Sequence, residues 1–195
     1  SFSDGAFALG EEIVDGSVSM RMIKPCSFDM CFLFQELGNK VINYSIMFVP
    51  IVLGVEIYRF VITGAVQFNI LSFVLFFVSL QLAYLINFYF NVCYGFLAFF
   101  LKNLWGTNLI KDVIVGFLSG STIPLAFMPD VLQTVLTYLP FASLSYTPVM
   151  IYMNMYSPLQ IAFSMLLQAL WLAVFVLVSK LIWHFAMKHL CIQGG

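Results

Sequence analysis

Catalysis or metal binding needs several polar side chains converging at one place, and this chain offers few candidates. The soft and imidazole groups are Cys26, Cys31, Cys93, Cys191, His184 and His189. No two cysteines stand in CxxC spacing, none pairs with a histidine at metal-ligand spacing, and histidines five residues apart on a helix share a face poorly. The cysteines are therefore read as small helix-packing residues with free thiols, and the histidines as interfacial. GxSxG, HExxH and paired carboxylates within an apolar segment are all missing, so no catalytic residue, metal or cofactor is expected. A GxxxxGK[ST] loop is missing too, which excludes Walker-type ATP binding here and requires any energy source to be another chain.

The elements that would position polar groups are apolar. Of 195 residues, 62% are hydrophobic and 9% charged, against roughly a quarter charged in a soluble domain. Such a chain cannot cover its surface with polar groups, so part of its solvent is lipid. The net charge of −1 offers no basic field for nucleic acid.

A crossing helix needs about 20 mostly apolar residues, and four segments qualify. They are residues 36–58, with Pro50 as a possible kink; 70–101, after a turn marked by Gly64, Gln67 and Asn69; 108–127, with Gly116, Ser119 and Gly120 as a small face and Pro124 loosening or ending it; and 158–184. At 1.5 Å per residue the second would reach about 48 Å, so it tilts or protrudes. Between Pro124 and Pro158 lie five of the seven prolines. That stretch divides into two apolar pieces too short to cross, which reads as a helical hairpin over residues 128–156 dipping into the membrane from one side.

Lys and Arg concentrate in cytoplasmic loops. Four spans put Arg21, Lys24, Lys40, Lys102, Lys111, Lys180 and Lys188 inside and leave only Arg59 outside, three residues after Glu56, where an i,i+3 pair partly neutralises it. A fifth span would turn Lys180 and Lys188 outward, so the charges favour a re-entrant hairpin and cytoplasmic placement of both chain ends. Lys180 sits where it can snorkel. No other ionisable group lies within an apolar run, which argues against a proton-coupled carrier. The uncharged polar residues Asn43, Gln81, Asn87, Asn91 and Gln168 either line a path or bond between helices.

Residues 1–34 are polar and cytoplasmic by the same accounting. Their pattern of Ile13, Gly16, Met20, Ile23 and Pro25 resembles the I-x-x-G…L/I-x-x-P segment after the second transmembrane helix of bacterial type-2 (ABC-2 type) ABC exporter permeases. SGSTIPLAFMPDVLQTVLTYLPFASLSYTPVMIYM, residues 119–153, resembles that family's Ser-Gly-x-x-x-Pro-Leu-x-Phe-x-Pro-Asp…Leu-Pro-Phe…Tyr-Thr-Pro block and falls on the hairpin. The resemblance covers nearly the whole chain. Together with Ser1 in place of an initiator Met, it implies a missing N-terminal part holding the first two helices.

The fold expected is all-α and polytopic: four transmembrane helices in residues 35–195, a re-entrant external hairpin and a short cytoplasmic connector helix. The resemblance further implies a second permease subunit, identical or paralogous, and a separate nucleotide-binding ATPase subunit, in the bacterial inner membrane. The connector residues Glu11, Glu12, Ile13, Asp15, Gly16, Arg21 and Pro25 would couple to that ATPase. Gly120, Pro124, Pro129, Asp130, Pro140 and Pro148 would shape the hairpin, and Asn43, Gln81, Asn87 and Asn91 would line the path. The competing classes are a non-transporting membrane scaffold or assembly factor, and an intramembrane lipid-modifying enzyme, which the lack of paired polar groups disfavours.

Overall fold

The computed structural model of the chain describes residues 28–64, 69–96 and 105–193, and every regular element among them is helical. The helices are α1 (Phe28–Thr63), α2 (Ile70–Gly95), α3 (Trp105–Leu118), α4 (Asp130–Tyr138), α5 (Tyr146–Tyr152) and α6 (Pro158–Gln193). Of these, the described residues give two segments long and apolar enough to cross a membrane, Ile70–Gly95 and Pro158–Phe185.

Local chemistry sets the helix ends. Gly64 leaves α1 at φ 68°, and Asn69 caps α2 by accepting the N–H of Leu71 at 3.0 Å and of Ser72 at 3.5 Å. At the start of α6 the Gln160 N–H donates to Ser157 Oγ (3.4 Å) and the Ser157 N–H to Gln160 Oε1 (2.8 Å), a capping box followed by Pro158 at the first helical position. α3 stops where Gly120 turns to φ 76°. There the N–H of Gly120 meets Phe117 O and that of Ser121 meets Gly116 O, both at 3.2 Å, the two closing bonds of a Schellman motif. Asn154, at φ 57°, ends α5 the same way, with its own N–H on Ile151 O and that of Met155 on Met150 O, both at 3.1 Å.

Three expectations therefore change. The span expected over 108–127 is not one helix: a glycine in the left-handed region ends it at Leu118, ahead of Pro124. Residues 28–34 are already part of α1, so the connector boundary expected at 34 is not a break in the helix. Cys31 is disulfide-bonded, not a free thiol. Pairing depends on Cα atoms approaching to about 4.4–6.8 Å, which sequence spacing does not reveal.

Contacts along α2 give the topology. α1 runs antiparallel to it, with Phe32 against Phe88 (ring centroids 5.9 Å) and Phe48 against Phe76 (6.0 Å). α3 is also antiparallel, since Lys111 meets Asn91 while Val115 packs with Ile86. α6 is parallel, pairing Ser79 with Gln168, Phe90 with Phe175 and Phe96 with Trp183. Ser72, Ser79 and Ala83 are buried on α2, and such small residues let helices approach closely where lipid, not water, is the alternative neighbour.

α4 and α5 form a hairpin nested around Pro140: Leu136 clusters with Ala142, and Gln133 Nε2 donates to Tyr146 Oη at 3.3 Å. Leu144 sits at the level of Ile86, and Asn154 at the level of Ser72. The second limb thus travels 14 residues along α2, about 21 Å at 1.5 Å per residue. The chain has returned to the starting end of α2 before α6 begins.

A Cβ on Gly120 would stand 3.0 Å from Leu125 Cγ, and the left-handed backbone costs an L-residue about 1–2 kcal/mol. Gly120→Ala is expected to lower stability by at least about 1 kcal/mol in reversible unfolding titrations in mixed micelles. An unchanged midpoint would mean that another arrangement ends α3.

Candidate functional site

Polar side chains meet at three levels of the bundle. At the middle level Gln168 is completely buried. Its Oε1 accepts from Ser79 Oγ at 3.0 Å, and its Nε2 donates to Ser143 O at 3.0 Å and to Ser79 O at 3.4 Å. One amide thereby ties α6 to α2 and to the hairpin bend. Three residues on, Trp171 Nε1 donates to Tyr138 O (3.0 Å), a carbonyl at the end of α4 with no helical partner ahead of it. Gln168 and Trp171 stand ten and thirteen residues into α6 from Pro158, about 15 and 20 Å along its axis.

The second level lies at the starting end of α2. Glu56 and Arg59 of α1 pair at 3.3 Å. Tyr152 of α5 donates its hydroxyl to Glu56 Oε1 (2.5 Å), and the Arg59 guanidinium lies 5.9 Å from the centre of the Tyr152 ring. Beside them, Ser72 Oγ bonds to Asn154 Oδ1. Burial foremost, then the hydrogen bond and charge of Glu56, push the Tyr152 phenol up to about 12, so it remains a donor throughout the physiological range. With Asn69 and Phe73 these groups line a cavity of about 10 Å³, room for about one water.

At the third level, nearer the other end of α2, Lys111 is buried within α3. Its Nζ donates to Asn91 Oδ1 at 2.7 Å, lies 3.5 Å from Asp112 Oδ1 and sits 4.8 Å from the centre of the Tyr94 ring. Asn91 in turn donates to Asn87 Oδ1 at 3.2 Å. The cation was expected in a cytoplasmic loop; helix α3 starts earlier than its polar sequence suggests and carries Lys111 into the α2–α3 contact.

The expected site residues fall in different places. Pro124 and Pro129 precede the 3₁₀ turn Leu125–Phe127 and α4, and exposed Asp130 occupies the first turn of α4, where its charge suits the helix dipole. Pro140 is buried at the hairpin bend and Pro148 in the first turn of α5. Gln81 is exposed, Asn87 half-buried, and Asn91 buried. The Asn43 side chain lies outside the described residues, as do Glu11, Glu12, Ile13, Asp15, Gly16, Arg21 and Pro25. Of the groups that bring the elements together, Gln168 was expected either to line a path or to bond between helices and does the latter, Lys111 was expected only as a cytoplasmic cation, and Tyr152 was not singled out. A glutamine in the middle of an apolar run was the one visible signal among them, because an amide there needs partners.

Among the described residues no group of three or more His, Cys, Asp or Glu side chains converges. The convergent chemistry among them is hydrogen bonding between helices, with ion pairs inside single helices. Apolar helices joined in this way, two of them long and apolar enough to cross a membrane and packed on each other with a short hairpin against them, fit a helical membrane protein. The sequence matches the family described as ABC-2 family transporter protein over residues 1–194, and the chain belongs to that family. No curated protein and no solved structure matches it. The chain is thus a membrane component of an ABC-2 transporter, the class to which the resemblance in residues 119–153 pointed.

The middle level lends itself to a double-mutant cycle. Interhelical hydrogen bonds in membranes average about 0.6 kcal/mol, with a ceiling near 1.7. Gln168→Leu and Ser79→Ala should couple by about 1 kcal/mol, toward the upper part of that range because the amide serves three partners. Purely additive effects on unfolding in mixed micelles would contradict this assignment.

Proposed function

We propose that this chain is a permease subunit of an ATP-driven exporter, working with a second permease subunit and with a separate ATPase subunit that supplies the energy. The observation that carries this reading is the ABC-2 family match across residues 1–194. The parallel course of α2 and α6 supports it. If both helices cross in the same direction, α3 and the hairpin together make one return crossing. The hairpin is then re-entrant, entering and leaving at the end where α2 begins, and α1 to α6 count as four passages.

On the distribution of Lys and Arg, that end faces outward and both termini of the chain face the cytoplasm of the inner membrane. The segment before Pro25 is the coupling element, with Glu11, Glu12, Asp15 and Arg21 as its contact surface and Gly16 and Pro25 as its boundaries. ATP-driven closure of the partner moves this lever, and the helices respond by exchanging one packing for another. Gln81, exposed on α2, and half-buried Asn87 are the described polar groups best placed to meet cargo. Asn91, already bonded to Lys111, positions α3.

Reconstitution of the complete protein with its ATPase subunit in liposomes tests this. The joint replacement Glu11→Lys and Glu12→Lys should cut ATP-driven efflux by roughly fivefold or more, the effect of losing about 1 kcal/mol of coupling. Efflux at wild-type rates would remove the coupling role. A chain that moves nothing and leaves ATP hydrolysis unaltered would instead be a scaffold.

A further inference from the structure

The two halves of α1 are held by different balances of force, the second combining the Phe48–Phe76 stack on α2 with polar contacts to α5. Its first turns join an apolar cluster in which Phe32 and Leu33 pack with Phe88, Val92 and Phe96, with Trp183 against it. Further along, Ile51, Leu53, Ile57, Tyr58, Val61 and Ile62 are exposed. What ties this half to α5 is polar: the Tyr152 hydroxyl on Glu56 and the Arg59 guanidinium over the Tyr152 ring, while the Glu56–Arg59 pair within α1 holds those two groups side by side. The partners are 96 residues apart in sequence. The space between these groups, about 10 Å³, has room for about one water.

We infer that Glu56, Arg59 and Tyr152 form a clasp holding α1 against the hairpin at the outer face, and that the clasp parts when the outward route opens; the inference rests on the permease reading. An apolar seam slides or tilts with little change in energy, whereas the Tyr152–Glu56 hydrogen bond is either made or lost. That bond therefore divides a closed from an open corner sharply. Because three groups share the load, loss of the phenol hydroxyl loosens the corner while leaving the apolar seam near Phe32 and Phe88 in place.

The test uses the complete protein with its ATPase subunit in nanodiscs, with spin labels carried on bio-orthogonal residues at positions 57 and 153, beside the clasp. The wild type should give one short separation without nucleotide and a second, longer population with ATP. Tyr152→Phe should raise the longer population several-fold before any ATP is added. Glu56→Gln, which keeps its size and an acceptor but makes the hydrogen bond from Tyr152 a neutral, weaker one, should move it in the same direction by less, and it carries the test if the phenylalanine variant does not fold. Distributions of both variants that superimpose on the wild type without nucleotide overturn the clasp, whether or not efflux persists. A wild-type distribution that ATP leaves unmoved overturns its gating role. If ATP hydrolysis by the partner is also indifferent to this chain, the permease reading fails with it.

Discussion

A backbone carbonyl in hydrocarbon has no water to turn to, and this constraint governs the hairpin region. α3, α4 and α5 are all short, and each leaves carbonyls beyond its last turn. Gly116 O, at the end of α3, receives the N–H groups of Ser121 and Thr122 and the hydroxyls of Ser119 and Ser121. Tyr138 O receives the Trp171 indole, and Ser143 O the Gln168 amide. The serines, the tryptophan and the glutamine are thus what permits non-helical backbone among apolar helices. Replacing Gln168 with an aliphatic residue would increase hydrophobicity and still harm the fold, because the groups left behind keep their demand for partners.

The same donors fix the hairpin in position. Since Gln168 holds Ser79 and Ser143 at once, α2, α6 and the bend share one register and act as a unit. Aromatic contacts reinforce that register, with Phe90 edge-on to both Phe141 and Phe175. α1 is attached to this unit differently, by an apolar cluster toward its beginning and by polar contacts toward its end. Directional and non-directional attachment at opposite ends of one helix gives the bundle a stiff block and an arm whose far end answers to a few hydrogen bonds.

Much of this architecture was legible in the residues, and the exceptions have physical causes. The apolar runs, the helix boundaries at Gly64 and Asn69, the proline-broken hairpin and the Glu56–Arg59 pair all follow from local rules, since each depends on neighbours within a helical turn or on a backbone preference. Gly120 was visible as a small residue, but its left-handed backbone, which ends α3 ahead of Pro124, depends on Leu125 and the cluster packed behind it. Lys111 was placed with the loop cations because adjacent Asp112 and nearby Lys102 look solvated. Its burial is a tertiary event, set by Asn91 and Tyr94 on the antiparallel partner. The tie between Tyr152 and Glu56 spans 96 residues and leaves no trace in spacing.

The parallel course of α2 and α6 limits how such a bundle can move. Two parallel helices sharing a buried amide cannot slide by a turn without stranding Ser79, Gln168 and Ser143 together, so relative displacement of that block is costly at its middle level. α1 and α3 are antiparallel to α2; α3 meets it through Lys111 and Asn91, while the polar contact of α1 is to Tyr152 of α5, at the level where α2 begins. Motion that preserves the central amide must therefore pass through those two regions. For α1, the apolar seam around Phe32 and Phe88 tolerates a change of tilt, because dispersion contacts are many, weak and replaceable. The tilt then appears at the far end, where Glu56, Arg59 and Tyr152 hold or release.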